Sequence, residues 1–269
     1  MPAAIRVIHP APAIAVVALS AVLGAILATQ AGVPIGESWA LTVLAVAGSQ
    51  VFTGATNDIA DRERDAVARP EKPIPAGELS LNAAAWIASI GLAVQLAASW
   101  RMGGLALALG AIASGSALAY NLALSRTPLS PLPYLVSFGL LPAWIAAGIG
   151  VALERVLPAI PLVAPFAIAA HLANTLRDFE ADAAGGSRSL AQVLGRQASR
   201  LLAAGLALAV GLGVGGALLL GGRSTPWSIG LGLIGLVAVA QGAFSERRLW
   251  YGVLLAAICW TAAWALSTG

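Results

Sequence analysis

The sequence predicts an all-α, polytopic membrane protein with about nine transmembrane helices. Only 10% of its 269 residues are charged and 59% are hydrophobic, whereas soluble domains are about 25% charged. The apolar runs are unbroken and about 20 residues long, which is the length at which a helix spans the hydrocarbon core of a bilayer. A transmembrane strand would instead alternate apolar and polar residues. These observations exclude a soluble enzyme, a disordered chain and a fibrous repeat, and the single Cys259 excludes a disulfide framework and a cysteine-based metal site.

Nine apolar runs follow one another along the chain. They lie at 12–32, 37–56, 82–100, 102–120, 129–151, 157–174, 199–221, 227–243 and 249–267. Only Arg101 separates the third run from the fourth, which begins at Met102, and Gly103 and Gly104 would supply the tight turn that two separate helices need. We expect these runs to form one transmembrane domain over residues 1–269.

The distribution of basic residues predicts the topology. Most of the 15 Lys and Arg residues fall on one side of the nine-span arrangement, whereas Arg101, Arg155 and Arg223 fall on the other. By the positive-inside rule, the side that is rich in Lys and Arg is cytoplasmic. We therefore expect a multi-pass protein of the cell membrane whose N-terminus and two long loops, 57–81 and 175–198, face the cytoplasm.

Two acidic patterns with the same spacing begin these loops. The first consists of Asn57, Asp61 and Asp65, with Asp58 beside it, and the second consists of Asn174, Asp178 and Asp182. Residues four apart are neighbours on one face of a helix, so each pattern would form a stripe if its apolar helix continues past the bilayer. An even number of crossings separates the two patterns, which places them on the same side of the membrane, where they can face each other.

Such stripes predict a metal site for a phosphorylated ligand. Carboxylates four residues apart repel each other unless a cation lies between them. Carboxylate and amide oxygens suit a hard divalent ion, and Mg²⁺ usually binds through one or two carboxylates, waters and substrate phosphates. The alternative is that these acids are ordinary solvated loop residues, but a matched pair of patterns with Asn at both heads favours the metal site.

Basic residues beside the first pattern are candidates for binding the same ligand. Arg69 and Lys72 lie in a proline-rich segment, 69–77, which cannot continue the helix and could hold both cations over the site. Cations there would help to neutralise a diphosphate. The alternative is that they are only topology signals at a cytoplasmic rim. His171 lies about one turn deeper in the membrane than Asn174, where it could contact a substrate or hydrogen-bond to another helix.

Both acidic patterns resemble the signatures of a known family. The segment 57–65, followed by 69–77, resembles the first signature of the UbiA superfamily of intramembrane prenyltransferases. The segment 178–182, followed by Gly185 and 189–191, resembles its second signature. The chain length, the nine spans and the positions of the two loops agree with this family as well, so the resemblance covers essentially the whole chain.

The resemblance implies a bundle of helices around a central cavity, with Mg²⁺ and an isoprenyl diphosphate bound between the two motifs. The implied metal ligands are Asn57, Asp58, Asp61, Asp65, Asp178 and Asp182, of which the four at 61, 65, 178 and 182 are the expected catalytic residues. The expected substrate-binding residues are Arg69, Lys72, Tyr120, Arg126, His171 and Asn174. The chain departs from the family where Ser125 precedes Arg126, because the family commonly has Lys-Arg there and one cation is missing.

The implied activity is Mg²⁺-dependent transfer of an isoprenyl group from an allylic diphosphate to a lipophilic acceptor, which we expect to be aromatic. Membrane lipids are the other expected partners, and no nucleic acid is expected. A terpene cyclase of the same fold is an alternative, and a phosphoribosyl-transferring relative is a weaker one. A divalent-cation transporter is the alternative from another class, although the acids cluster at one face and, apart from His171 and Asn174, the membrane interior offers an ion few polar groups.

Overall fold

The computed structural model describes residues 1–267, which form helices and their connections without a strand. The nine long helices are α1 Pro10–Gln30, α2 Glu37–Ala68, α3 Leu81–Met102, α4 Gly104–Leu122, α5 Pro131–Ile149, α6 Ile160–Thr175, α7 Arg196–Leu220, α8 Pro226–Gly242 and α9 Glu246–Ala265. Eight helical stretches in residues 1–267 are long and apolar enough to cross a membrane, and α8, with 17 residues, is at the short end of the spanning range. The predicted all-α, multi-pass membrane fold is confirmed.

Short helical segments connect several of these helices. They are the α-helical segments Ala3–Arg6, Phe179–Ala184 and Leu190–Leu194 and the 3₁₀ turns Leu124–Arg126, Leu153–Arg155, Leu157–Ala159 and Leu176–Asp178. The predicted break between the third and fourth spans lies at Gly103, whose φ of 112° is readily adopted only by glycine.

The two acidic patterns lie on different kinds of backbone. Helix α2 continues far beyond the predicted apolar run 37–56, so the first pattern lies on uninterrupted α-helix, as predicted. Helix α6, in contrast, ends at Thr175 and is followed by the 3₁₀ turn Leu176–Asp178 and the short helix Phe179–Ala184. The prediction of a simple α-helical stripe is therefore wrong for the second pattern, because a 3₁₀ turn has three residues per turn and changes the register of the residues that follow.

The chain divides into two compact units. The first contains Met1–Ser125 and Leu140–Val156, and the second contains Arg126–Gly139 and the chain from Leu157 onward. Helix α5 thus begins in the second unit and ends in the first.

In the first unit, α2 and α3 pack through glycines. A Cβ atom placed on Gly48 would lie 2.6 Å from the carbonyl oxygen of Gly91, and one placed on Gly91 would lie 2.8 Å from that of Gly48. Small residues allow membrane helices to approach this closely. A buried hydrogen-bond chain adds to this packing: the Ser114 hydroxyl donates to Oε1 of Gln95 over 3.1 Å and lies 3.2 Å from the Ser49 hydroxyl.

In the second unit, Trp260 of α9 lies at the centre of the packing. Its ring occupies the positions that Cβ atoms of Gly211 and Gly235 would take, and its indole N–H donates to the Gly232 carbonyl over 3.2 Å. The ring of Phe166 meets it edge-on, with the centroids 5.7 Å apart. Glycines on α7 and α8 therefore form the slot that accepts this indole.

Large apolar side chains are exposed on the outer faces of several helices, among them Leu220 and Ile14. Trp86, Trp100 and Trp227 are also exposed, and each lies near a helix end. In a multi-pass membrane protein, apolar surface contacts lipid, and tryptophan at a helix end is typical of the membrane–water interface.

Candidate active site

The three carboxylates of the first acidic pattern lie buried on α2. Asp58, Asp61 and Asp65 are 2%, 6% and 2% exposed. A buried charge is unfavourable unless a charged partner or hydrogen-bond donors neutralise it. Each of the three has such a partner within the first unit.

Lys72 bridges two of these carboxylates. Its Nζ atom donates to Oδ1 of Asp58 over 2.8 Å and to Oδ2 of Asp65 over 2.7 Å. The segment that carries it folds back on α2 because the Arg69 amide caps the helix at the Asp65 carbonyl, and the prolines that follow prevent the helix from continuing. The contacts therefore place Lys72 over the first acidic pattern, as predicted.

Asp61 is bound by a second cation and by an amide. The Arg64 guanidinium lies 2.6 Å from Oδ2 of Asp61, and the Asn57 amide donates to the same oxygen over 3.4 Å. That amide also donates to Oδ1 of Asn121 over 3.3 Å, and Asn121 donates to the Thr53 carbonyl. Asn121 thus ties the end of α4 to the head of the first pattern.

Sequence reasoning missed three residues here: Asn121, Arg64 and His9. Asn121 follows the predicted Tyr120, and a polar amide at the end of an apolar run is a signal by which it could have been found. Arg64 lies within the first motif itself. His9 gives no signal in the sequence, because its contact, Nε2 to Oδ1 of Asp58 at 2.8 Å, joins residues far apart in the chain.

The second acidic pattern lies in the second unit, and its carboxylates are less buried than those of the first. Asp178 and Asp182 are half-buried. The loop after them is held by main-chain contacts: the Ser187 amide donates to the Asp182 carbonyl over 2.9 Å, and the Arg188 amide donates to the Arg126 carbonyl over 3.0 Å. Arg126, predicted to reach the substrate, is thereby tied through its backbone to the loop of the second motif.

His171 is fully buried and joins two elements of the second unit. Its Nε2 atom lies 2.9 Å from the hydroxyl of Ser130, which also accepts the Leu190 amide over 3.2 Å. The ring of Tyr134 packs on the imidazole at a centroid distance of 4.8 Å. The hydrogen bond of His171 is thus made to the turn just before α5 and not to a residue within another helix. Contact with a substrate stays a prediction. Asn174 is half-buried, with its amide 3.5 Å from the Tyr134 hydroxyl.

The remaining predicted residues lie at element ends. Arg69 follows the last residue of α2. Tyr120 is near the end of α4 in the first unit. Arg126 is the last residue of the 3₁₀ turn Leu124–Arg126 and the first residue of the second unit. The structure therefore brings Asn57, Asp58, Asp61, Asp65 and Lys72 together in one unit, and places Arg126, His171, Asn174, Asp178 and Asp182 in the other. That the two motifs face each other stays a prediction.

The side chains of the first pattern are of the types that bind Mg²⁺, although they do not supply a full set of ligands by themselves. Across residues 1–267, no group of three His, Cys, Asp or Glu side chains forms a ready metal-binding cluster. Mg²⁺ does not require one, because it keeps several waters and binds through one or two carboxylates together with substrate phosphates. The oxygens of Asn57, Asp61 and Asp65 are ligands of this kind, so the residues present fit the ion.

Comparison with known proteins identifies the chain. Residues 17–248 match the UbiA prenyltransferase family. The chain belongs to the UbiA prenyltransferase family. It is thus a membrane-bound prenyltransferase, and the family resemblance of its two motifs is confirmed.

Curated relatives within the UbiA family carry a more specific name. The chain is 34% identical over 196 residues to a digeranylgeranylglyceryl phosphate synthase of Methanoculleus marisnigri, a match that covers 71% of this chain and 68% of the relative. It is 29% identical over 208 residues to the protein of the same name in Thermococcus gammatolerans, covering 71% of this chain and 68% of that one.

Solved structures of UbiA proteins share the fold. A UbiA homologue from Archaeoglobus fulgidus, bound to GPP and Mg²⁺, aligns over 98% of this chain and 99% of its own with a TM-score of 0.73 and 14% identity. A UbiA homologue from Aeropyrum pernix K1 aligns over 92% of this chain and 96% of its own with a TM-score of 0.69 and 20% identity. At these identities the likeness supports the fold alone.

Proposed function

We propose that this UbiA protein transfers an isoprenyl group from an allylic diphosphate to a lipid acceptor and requires Mg²⁺. The observation that carries the proposal is the cluster of buried carboxylates on α2 with Lys72 bridging two of them, in a chain that belongs to a prenyltransferase family. A structure of another UbiA protein, from Archaeoglobus fulgidus, is bound to GPP and Mg²⁺, and we propose the same donor class and ion for this chain on the strength of the family match.

The proposed metal ligands are Asn57, Asp61 and Asp65 from the first motif and Asp178 and Asp182 from the second. If Mg²⁺ is held there by these residues, it would supply charge neutralisation for the departing diphosphate. The residues of the two motifs hold and orient the diphosphate.

Cations and apolar helices perform the rest of the chemistry. Arg69, Lys72 and Arg126 stabilise the negative charge that develops on the leaving pyrophosphate. The bond between the allylic carbon and the diphosphate oxygen breaks, both electrons leave with pyrophosphate, and an acceptor oxygen attacks the resulting carbocation and loses its proton. Helices inside a membrane keep water from the cation. No nucleophilic side chain is required.

The acceptor we propose is a glyceryl phosphate-type lipid. The sequence analysis expected an aromatic acceptor, but the similarity to digeranylgeranylglyceryl phosphate synthases does not support one. Their name instead describes a product in which prenyl groups are attached to glyceryl phosphate.

The proposal is tested by offering purified protein several acceptors with geranylgeranyl diphosphate and Mg²⁺. We expect product with a singly prenylated glyceryl phosphate and none with 4-hydroxybenzoate. Product with the aromatic acid only would contradict the acceptor class. Hydrocarbon formed without any acceptor would favour the terpene cyclase, and no pyrophosphate release from any allylic diphosphate would contradict prenyl transfer.

We also propose that the N-terminus and both acidic loops face the cytoplasm, as the distribution of Lys and Arg indicates. Cys259 is the single cysteine of the chain, so Cys259→Ala provides a background for single-cysteine labelling. In intact cells, a membrane-impermeant maleimide should label Ser224→Cys and spare Glu63→Cys. The reverse pattern would invert the topology.

A further inference from the structure

The first nine residues pack on the first acidic motif. Val7 is fully buried, and a Cβ atom on Gly54 of α2 would lie 2.6 Å from the Ile8 carbonyl oxygen. Nη2 of Arg6 donates to the Glu78 carboxylate over 3.1 Å. The N-terminal segment is therefore fixed both to α2 and to the loop that carries Lys72.

His9 ends this segment in an unusual backbone conformation. Its φ is 51°, in the left-handed region, and within residues 1–267 no other residue except glycine has a positive φ. Residues other than glycine rarely adopt this backbone conformation. It persists where the surrounding structure requires it, which is often at a functional site. What His9 gains there is its contact with Asp58 at 2.8 Å.

Two donors converge on one oxygen of Asp58. A carboxylate only accepts hydrogen bonds, so Nε2 of His9 donates to Oδ1. Nζ of Lys72 donates to the same Oδ1 over 2.8 Å and to Asp65 over 2.7 Å. An ammonium group has three N–H donors. Two of them bind these carboxylates, which leaves one for a further oxygen.

We propose that His9 is a positioning residue that orients Lys72 through Asp58, so that the remaining N–H of Lys72 binds the diphosphate of the donor. This gives Asp58 the role of anchoring Lys72 instead of the metal-ligand role that the sequence predicts. The inference rests on the proposed function. It concerns a residue outside the family match, which begins at residue 17.

Binding of inorganic pyrophosphate with Mg²⁺ tests the inference without turnover. The measurement is calorimetry on the chain 1–269 in lipid nanodiscs, with His9→Asn and His9→Gln as a matched pair of amides. Asn tolerates the left-handed backbone but is too short to replace Nε2, whereas the longer Gln amide can donate to Asp58. We expect His9→Asn to weaken pyrophosphate binding about tenfold, the lower end of what a hydrogen bond to a charged group contributes, and His9→Gln to restore most of it.

A double-mutant cycle separates this role from a merely structural one. If His9 acts through Lys72, His9→Asn should cause no further loss in a Lys72→Met background, because the two effects are not additive. Glu78→Gln is the control, since it weakens the Arg6 contact of the same segment without touching Asp58, and it should bind pyrophosphate as the wild type does. Thermal unfolding of each variant shows whether it is folded.

Three results would overturn the inference: wild-type affinity in His9→Asn, additive losses in the cycle, or an equal loss in Glu78→Gln. Should His9→Asn fail to fold, His9→Gly keeps the left-handed backbone without strain and takes its place. A wild-type chain that binds no pyrophosphate with Mg²⁺ would overturn the proposed function as well. Wild-type binding that His9 does not influence would overturn this inference alone.

Discussion

At the residue scale, the first acidic motif is organised around ion pairs between buried groups. Lys72 lies between Asp58 and Asp65, and Arg64 pairs with Asp61. Removing one member of a buried pair leaves the other charge uncompensated, which costs about 3–5 kcal/mol where burial is complete. Residues of this motif therefore affect both folding stability and ligand binding, and experiments must measure both.

The cations proposed to bind the diphosphate should affect the donor and not the acceptor. We expect Lys72→Met and Arg126→Ala each to lower kcat/KM for the donor roughly ten- to a hundredfold, because each removes a charge-assisted hydrogen bond. The acceptor KM should stay nearly unchanged. Steady-state kinetics with donor and acceptor varied separately measure this.

Two further variants sharpen the cation experiment. Arg62→Ala removes an exposed cation that pairs with Glu63, and it should leave donor kcat/KM unchanged. Ser125→Lys restores the basic pair common in the family and should tighten donor binding or leave it as it is. If Lys72→Met and Arg126→Ala both kept the wild-type value, these residues would be topology signals only.

The acids proposed to bind Mg²⁺ should be indispensable for turnover. Asp61→Asn and Asp182→Asn keep the side-chain shape but remove the charge, and we expect each to abolish product formation. Asp61→Asn should also lower the unfolding temperature, because Arg64 loses its buried partner, whereas the half-buried Asp182 should matter less for stability. Glu63→Gln, at an exposed position, is the control. If either variant kept near wild-type turnover, the substituted residue would not be a metal ligand.

At the element scale, spacing predicts structure only where the helix is regular. The four-residue spacing of Asn57, Asp61 and Asp65 correctly predicted one helical face, since α2 continues without interruption to Ala68. The same spacing wrongly predicted a helical face after Asn174, because the backbone there tightens into a 3₁₀ turn. No residue pattern in the sequence predicts that turn. The contact of His9 with Asp58 could not be predicted at all, since tertiary packing and not local spacing brings them together.

Helix packing in the second unit depends on glycines that make room for Trp260. We expect Gly235→Val to destabilise the protein by about 1–3 kcal/mol, because overpacking forces the indole from its slot. Gly230→Val on the same helix is the matched control, since nothing lies within 4 Å of a Cβ atom there. The measurement is the temperature at which buried Cys259 reacts with a thiol reagent. Equal reaction temperatures in the two variants would contradict this account of the packing.

At the scale of the whole molecule, composition alone predicts the membrane fold. The scarcity of charged residues and the nine apolar runs predict a bundle of membrane-spanning helices. The helices of the described residues and the family match agree with this prediction. The placement of the acids after two particular spans then indicates the chemistry. The acceptor could not be predicted, because a lipophilic substrate contacts apolar helices whose sequences carry little chemical information.

The central claim is that the two acidic motifs act with Mg²⁺ to transfer a prenyl group. The measurement that tests it most directly follows isotope-labelled geranylgeranyl diphosphate into a prenylated glyceryl phosphate in nanodiscs. We predict labelled lipid and pyrophosphate with Mg²⁺ or Mn²⁺, little of either with Ca²⁺, because a small hard ion is needed to bridge carboxylates and diphosphate, and none in excess EDTA. Full transfer in excess EDTA would contradict the account.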